Sequence, residues 1–205
     1  MTRTKWLGAC GVALLIPSLA ILAHAQTDQV KDRFTFVAAN ASKGGPSAEG
    51  RLEIVVNRWS SDVERDRVLS VVTDEGPAKL LDALRDANMT GWINWPGHLH
   101  YTLRYARRTP RPNGGDDVVL VADSRAWVWW DPALSPGSTD APFTVIHLRL
   151  NKEGAGDGKV SFGTKIHGDK AAGIVLEDDA TQPTLLTQVR RERGGSWSGL
   201  AHEEN

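Results

Sequence analysis

Histidines are the first residues in this sequence whose type and spacing could support chemistry. His98 and His100 stand two positions apart, so on a strand both side chains would point to the same side. Two such imidazoles can supply two ligands to a metal ion, or one can act as the base of a hydrolase. His147 or His167 could complete a metal set. The competing interpretation is that histidines beside a Trp95-Pro96-Gly97 turn are solvated loop residues.

Several enzyme signatures are excluded by their spacing. The glycine-rich stretch 154–159 lacks the spacing of a phosphate loop, and Val160 follows it where Ser or Thr is required. Trp197 occupies the serine position of a nucleophile elbow, and the sequence contains no HExxH or CxxC zinc pattern. We therefore predict no catalytic residue, no cofactor and no metal beyond the weak candidates His98 and His100. The balance of signals is against an enzyme.

Tryptophans are the second candidate group, because seven of the eight lie beyond the N-terminal 25 residues. Trp127 and Trp129 would share one face of a strand, while Trp130 would take the other face. Either one face is covered by other elements, or it lines a groove that could bind a ligand. The groove interpretation makes Trp127, Trp129, Trp92 and Trp95 the candidate ligand-binding residues. The alternative interpretation places them in the core.

Arginines form the third group, and they crowd one hairpin and the last strand. The members are Arg104, Arg107, Arg108, Arg111, Arg190, Arg191 and Arg193. They could hold an anionic ligand or lipid headgroups, since guanidinium groups bind oxyanions well. The alternative is a charged sheet edge that prevents strand-to-strand aggregation.

The elements that must position these residues start with a strand that leads into a helical pair. Residues 50–59 read as a strand, after which Ser61 and Glu64 have the spacing of a capping box. A stripe of Val63, Val68, Val71 and Val72 follows. A second helix is predicted to start near Pro77, with Leu80, Leu81, Leu84 and Ala87 on its apolar face.

The rest of the chain reads as short strands between turns. The predicted strands span 32–39, 50–59, 89–95, 99–107, 118–122, 126–130, 143–150, 159–167, 173–177 and 184–191. On 99–107, Tyr101, Leu103 and Tyr105 would share a face. The predicted fold is mainly β, an antiparallel sandwich or barrel of about ten short strands, with a helical pair at about 61–87 inserted after the second strand.

The N-terminus resembles an export signal. Arg3 and Lys5 precede an apolar run, and Ala23-His24-Ala25 fits the pattern that signal peptidase cleaves. The predicted domains are a signal peptide over 1–25, a single β-rich domain over 26–193 and a flexible tail over 194–205. An uncleaved anchor is the alternative to cleavage.

Charge and cysteine content limit the partners. Without Arg3 and Lys5 the chain would carry 22 basic against 25 acidic residues, a weakly acidic balance that argues against a nucleic-acid partner. Cys10, the single cysteine, would be lost with the signal peptide, so no disulfide is expected. No other apolar run is long enough to span a membrane.

A resemblance to known proteins is carried by the stretches Pro142 to Leu150, Gly156-Asp157-Gly158-Lys159, Thr164-Lys165-Ile166, Tyr101 to Ala106, and Gln182-Pro183 to Val189-Arg190. In these stretches the chain resembles a group of uncharacterised exported bacterial proteins, and the resemblance covers most of the chain after residue 25. The resemblance implies a mostly-β fold and export, and it carries over no functional residue.

These observations predict an exported, periplasmic or extracellular, β-sheet binding or structural module without catalytic activity. Its partner would be a carbohydrate, lipid or peptide of the cell envelope. The alternative is a small envelope hydrolase or metal-dependent enzyme that uses His98 or His100. Ligand identity and oligomeric state are not determined by the sequence.

Overall fold

The computed structural model describes residues 30–39, 52–95, 99–124, 143–161, 166–176 and 184–194. The strands within these ranges are β1 (Asp32–Ala39), β2 (Leu52–Val56), β3 (Gly91–Trp95), β4 (Leu99–Pro110), β5 (Asp116–Ala122), β6 (Thr144–Leu150), β7 (Ala155–Ser161), β8 (Ile166–Asp169), β9 (Gly173–Leu176) and β10 (Thr184–Arg193). The helices are α1 (Asp62–Ser70) and α2 (Leu80–Arg85), joined by a π-helical turn (Val71–Glu75) and a 3₁₀ turn (Pro77–Lys79).

Eight of the strands close into an antiparallel barrel. The order around it is β1-β10-β7-β6-β5-β4-β3-β2, and β1 pairs with both β2 and β10. Strands β8 and β9 form a separate hairpin. The predicted fold class is confirmed, and the closed pairing of β1 with β10 makes the architecture a barrel. The segment predicted as one strand over 159–167 contributes instead to β7 in the barrel and β8 in the hairpin.

The barrel interior is filled by the inward-pointing side chains of its strands. Phe34 and Phe36 on β1, Ile54 on β2 and Leu148 on β6 belong to this core and are fully buried. An eight-stranded barrel is just wide enough for side chains to fill it, and the observed core agrees with that expectation. Gly156 and Gly158 of β7 pair with Leu150 and Leu148, so the glycine-rich stretch forms a strand.

A second apolar cluster lies on the outer wall of the barrel. Val119 and Val121 of β5 point outward, and Leu80, Leu81 and Leu84 of the helical pair pack in the same cluster. Strand β5 is therefore buried on both faces, which explains its nearly continuous apolar sequence. Part of the β8–β9 hairpin, including Ile174, completes this cover. Among the helices described, none is long and apolar enough to cross a membrane.

The start of α1 is held by the capping box that the sequence predicts. The Ser61 hydroxyl accepts a hydrogen bond from the Glu64 backbone N–H, and the Glu64 carboxylate accepts one from the Ser61 N–H at 2.8 Å. Arg58 donates two hydrogen bonds to the carboxylate of Glu64, at 2.9 and 2.8 Å, and also donates one to the carbonyl of Met89. This arginine therefore joins both ends of the helical insertion.

Two sequence predictions about side-chain direction are wrong. Val63 is 79% exposed, so it does not belong to the buried side of the helical pair that Val68 and Val72 form. Tyr105 does not share a face with Leu103, because a register shift between them reverses the alternation of β4. Leu103 thus belongs to the interior core, whereas Tyr105 joins the outer cluster and donates a hydrogen bond to the carbonyl of Ala172.

We expect Leu81→Asp to lower the free energy of unfolding by at least about 3 kcal/mol. Leu81 is 8% exposed, so the new carboxylate would be buried against the barrel wall without a partner. Val63→Asp is the matched control on the exposed side and should change stability by no more than about 0.5 kcal/mol. Urea melts of the two variants test the packing. Equal stability losses would show that α2 does not pack as described.

Glu64 should make stability depend on pH in the acidic range. The hydrogen bonds from Arg58 are the main cause that lowers the pKa of Glu64 from 4.5 to about 2. The stabilisation is therefore complete above pH 4.5 and is lost as the pH falls towards 2. We expect about 1–2 kcal/mol, reduced by solvent screening of this partly exposed group.

The measurement is a set of urea melts at pH 6.5 and pH 3. Glu64→Gln should be less stable than the parent at pH 6.5 and should approach it at pH 3. Asp66→Asn is the matched control on the same helix, since the Asp66 side chain is 63% exposed. A gap between Glu64→Gln and the parent that is the same at both pH values would contradict this assignment.

Candidate functional site

The candidate site lies at the barrel mouth where β1 begins and where β2, β4 and β10 end. Asp32 pairs in register with Val56 and Arg193, while Phe34 pairs with Arg191. Because Phe34 and Val56 point into the core, Asp32 and Arg191 extend the inward-pointing rows by one layer. Charged side chains thus replace apolar ones at this end of the barrel.

Arg191 is the central residue of the mouth. Its Nε donates to Asp32 Oδ1 at 2.6 Å, and its Nη1 donates to Asp116 Oδ2 at 2.8 Å. The side chains of Arg191 and Asp32 are each only 4% exposed. A buried guanidinium needs paired carboxylates, and this one joins β10 to its neighbour β1 and to β5, which is three strands away.

Trp59 lies beside this ion network, directly after β2. Its indole N–H donates to Asp32 Oδ2 at 3.0 Å, so both oxygens of Asp32 are engaged. The ring contacts Phe34 edge-on, with the centroids 6.4 Å apart. On the ring face lies Arg108, whose Cζ is 5.8 Å from the centroid, within the range of a cation–π contact. Trp59 therefore connects the core to the charged mouth.

These residues line an open cleft of about 490 Å³. Lys31, Arg193 and Gly194 complete the lining around Trp59, Arg108 and Arg191. The volume lies within the range of small-molecule sites, which is about 300–1,000 Å³. Four cationic side chains line the cleft against one carboxylate, Asp32, with Asp116 beneath it. The cleft is thus basic although the whole chain is slightly acidic.

Backbone hydrogen bonds hold the lining strands in place. The Arg191 N–H donates to the carbonyl of Gly154 at 2.8 Å, and the Gly194 N–H donates to the carbonyl of Lys31 at 2.9 Å. Gly154 has a φ of 78°, a conformation that favours glycine, and it ends the turn between β6 and β7. The turn therefore approaches the Arg191 backbone closely enough to bind it.

Among the described residues, none of the predicted tryptophans lines this cleft. Trp127 and Trp129 lie outside the described residues, so the choice between core and groove stays open for them. Trp92 is half-buried and pairs with Val55 and Thr102 on the outer wall, and it is not part of the cleft lining. Trp95 ends β3, and only its backbone is described. Sequence reasoning missed Trp59 as a site residue, and it also missed Lys31, Asp32 and Asp116.

Only some of the predicted arginines lie close together in the structure. Arg108, Arg191 and Arg193 share the cleft, whereas Arg104 pairs with Asp123 and Arg107 pairs with Asp62. The alternative of a charged sheet edge is wrong, because β4 and β10 each have neighbours on both sides in the closed barrel. These arginines therefore do not protect a free edge.

The predicted histidines that the structure describes do not form a common site. His98 lies outside them, and His100 is exposed on β4 opposite Asn94. His147 lies on the outer wall with Nε2 3.6 Å from Asp117 Oδ1, and burial is the main cause that lowers its pKa. His167 is exposed on β8. Within the described part of the chain, no group of three or more His, Cys, Asp or Glu could hold a metal ion.

Comparison with known proteins identified no relative of this chain. No protein-family model matches the chain, and neither the curated proteins nor the solved structures contain a match. The site must therefore be interpreted from its own geometry.

We expect Arg191→Met to lower the free energy of unfolding by about 3–5 kcal/mol, because Asp32 would remain buried without its cation. Arg190→Met is the matched control one residue away, where the side chain is exposed, and it should change stability by no more than about 0.5 kcal/mol. Adding Asp32→Asn to Arg191→Met should restore part of the loss. Urea melts measure all three variants, and a small effect of Arg191→Met would show that the network is not buried.

Proposed function

We propose that this chain is an exported, non-catalytic β-barrel binding module that holds a small ligand in the cleft at the barrel mouth. The observation that carries the proposal is a half-buried tryptophan beside a set of charged groups already held in position. Arg191 is fixed by two carboxylates, and Trp59 is fixed by Phe34 and Asp32. A preorganised site loses little conformational entropy when a ligand binds.

The state of Asp32 favours binding over acid–base catalysis. It is the one carboxylate among the described residues that line the cleft, and both of its oxygens accept hydrogen bonds. A general base must reach the proton that it removes, and an engaged, buried carboxylate is poorly placed to do so. Trp59 lines the cleft, and the part of its ring that Arg108 does not cover offers an apolar surface for a sugar ring or another apolar group.

Export is part of the proposal. The charged and apolar segments before Ala23-His24-Ala25 support cleavage after Ala25, and the same export is implied by the resemblance to exported bacterial proteins. The ligand would then be a carbohydrate, lipid or peptide of the cell envelope. Intact-mass measurement of the exported protein should show Gln26 as its first residue. Retention of residues 1–25 would contradict cleavage.

A thermal-shift screen tests the binding proposal. The folded protein would be mixed with cell-wall sugars, phospholipid headgroups and short peptides. A ligand at a hundred times its dissociation constant should stabilise the folded state by about 2.7 kcal/mol. The same ligand should bind Trp59→Phe about tenfold more weakly, because the larger indole surface and the hydrogen bond that fixes the ring to Asp32 are lost.

Trp92→Phe is the matched control, since Trp92 is also half-buried but lies on the outer wall. Its affinity for the ligand should equal that of the parent. The proposal would be overturned if no compound in the screen raised the melting temperature. It would also be overturned if Trp92→Phe lost binding while Trp59→Phe kept it.

A further inference from the structure

The mouth cleft contains cationic groups whose hydrogen-bonding capacity is not used within the protein. The Arg108 side chain is 37% exposed, and its Nε lies 3.9 Å from Asp116 Oδ1, which is too far for a hydrogen bond. Its position is nevertheless defined, because the guanidinium lies over the ring of Trp59. Arg108 thus presents N–H donors that no described residue accepts.

Arg191 adds a donor from the floor of the same cleft. Nε and Nη1 are engaged by Asp32 and Asp116, whereas Nη2 makes no hydrogen bond to any residue that the structure describes. Because the side chain is 4% exposed and held at two nitrogens, the remaining nitrogen is fixed in direction. A ligand atom that reaches it meets a donor that requires no reorganisation.

Lys31 and Arg193 complete the set at the rim. Both side chains are exposed, and within the described ranges neither forms an ion pair. Asp32 in the lining and Asp116 beneath it are each already bound to Arg191. The cleft therefore keeps an excess of about two positive charges, which a dianion would neutralise.

We propose that the ligand of this cleft carries a phosphate monoester, with its phosphate among Arg108, Arg191, Lys31 and Arg193 and its organic part against Trp59. This inference rests on the proposed function and specifies its ligand class. A planar carboxylate is satisfied by one arginine fork. Four cationic side chains line the cleft, and a group with three free oxygens can accept from more of their donors than a carboxylate can. A phosphate monoester is also close to a dianion at neutral pH.

The phosphate could belong to a soluble ester or to a lipid headgroup, since both present the same chemistry to the cleft. Calorimetry would therefore use phenyl phosphate as the soluble probe. Phosphatidylcholine vesicles with 20% phosphatidic acid would be the lipid probe, and pure phosphatidylcholine vesicles the control. Binding of either phosphate probe through the cleft residues supports the proposal and identifies the source. Binding of both vesicle types equally counts against the lipid source.

Three compounds that share the phenyl ring isolate the role of the phosphate. Benzenesulfonate is a tetrahedral monoanion and benzoate is a planar monoanion. Phenyl glucoside is neutral. We expect phenyl phosphate to bind at least tenfold more tightly than benzoate, with benzenesulfonate between them. Raising the salt from 50 to 300 mM should weaken phenyl phosphate binding severalfold and leave phenyl glucoside unchanged.

Substitutions at the cleft distinguish this site from general charge attraction. Arg108→Gln and Arg193→Gln should each weaken phenyl phosphate at least fivefold, and Lys31→Gln provides a third, exposed position. Arg190→Gln removes the same charge from the outer side of β10 and should change affinity less than twofold. Equal losses in Arg190→Gln and Arg193→Gln, or benzoate binding as tightly as phenyl phosphate, would overturn the proposal.

Failure of this inference can be distinguished from failure of the binding module. If phenyl glucoside binds in a manner that depends on Trp59 and phenyl phosphate shows no advantage, the cleft is a ligand site but not a phosphate site. If none of the four phenyl probes and neither vesicle binds, the phosphate assignment is overturned. The wider thermal-shift screen then decides whether the module binds another ligand.

Discussion

The buried guanidinium of Arg191 is the constraint on which the barrel mouth depends. A charge that is 4% exposed has to be neutralised, and Asp32 and Asp116 do this from an adjacent strand and from a strand across the barrel. The same Asp32 fixes the indole of Trp59, and the indole in turn supports Arg108. One ion network therefore closes the end of the core and sets the positions of the groups that line the cleft.

The distribution of apolar side chains explains why the described cleft lies at an end of the barrel. The interior is filled by core residues such as Phe34 and Leu148, and part of the outer wall is covered by the helical pair. Strand β5 contributes to both layers, with Leu120 inside and Val121 outside. The mouth is where inward-pointing rows continue beyond the apolar core, and charged side chains there can reach both the core and water.

Local signals in the sequence predicted several parts of the fold. The boundaries of β1 follow from the alternation around Phe34 and Phe36, and the start of α1 follows from the pair Ser61 and Glu64. The inward direction of Asp32 could also have been predicted, because Asp32 lies two residues before Phe34 on the same strand. The inward direction of Arg191 could not be predicted from the alternation of β10, because the register of this strand shifts where Gln188 adopts a left-handed φ of 54°. The similar shift in β4 misled the prediction for Tyr105.

The sequence by itself thus determined the mainly-β class, the helical insertion after the second strand and the capping of α1, because each depends on neighbouring residues and their periodicity. Closure of the barrel was decided by the tertiary structure, since it requires β1 to pair with a strand about 150 residues away. The same holds for the cleft. Its residues come from separate strands and from the segment after β2; they are Asp32, Trp59, Arg108, Asp116 and Arg191. Strand register brings these residues together at one mouth, and no local sequence pattern encodes that register.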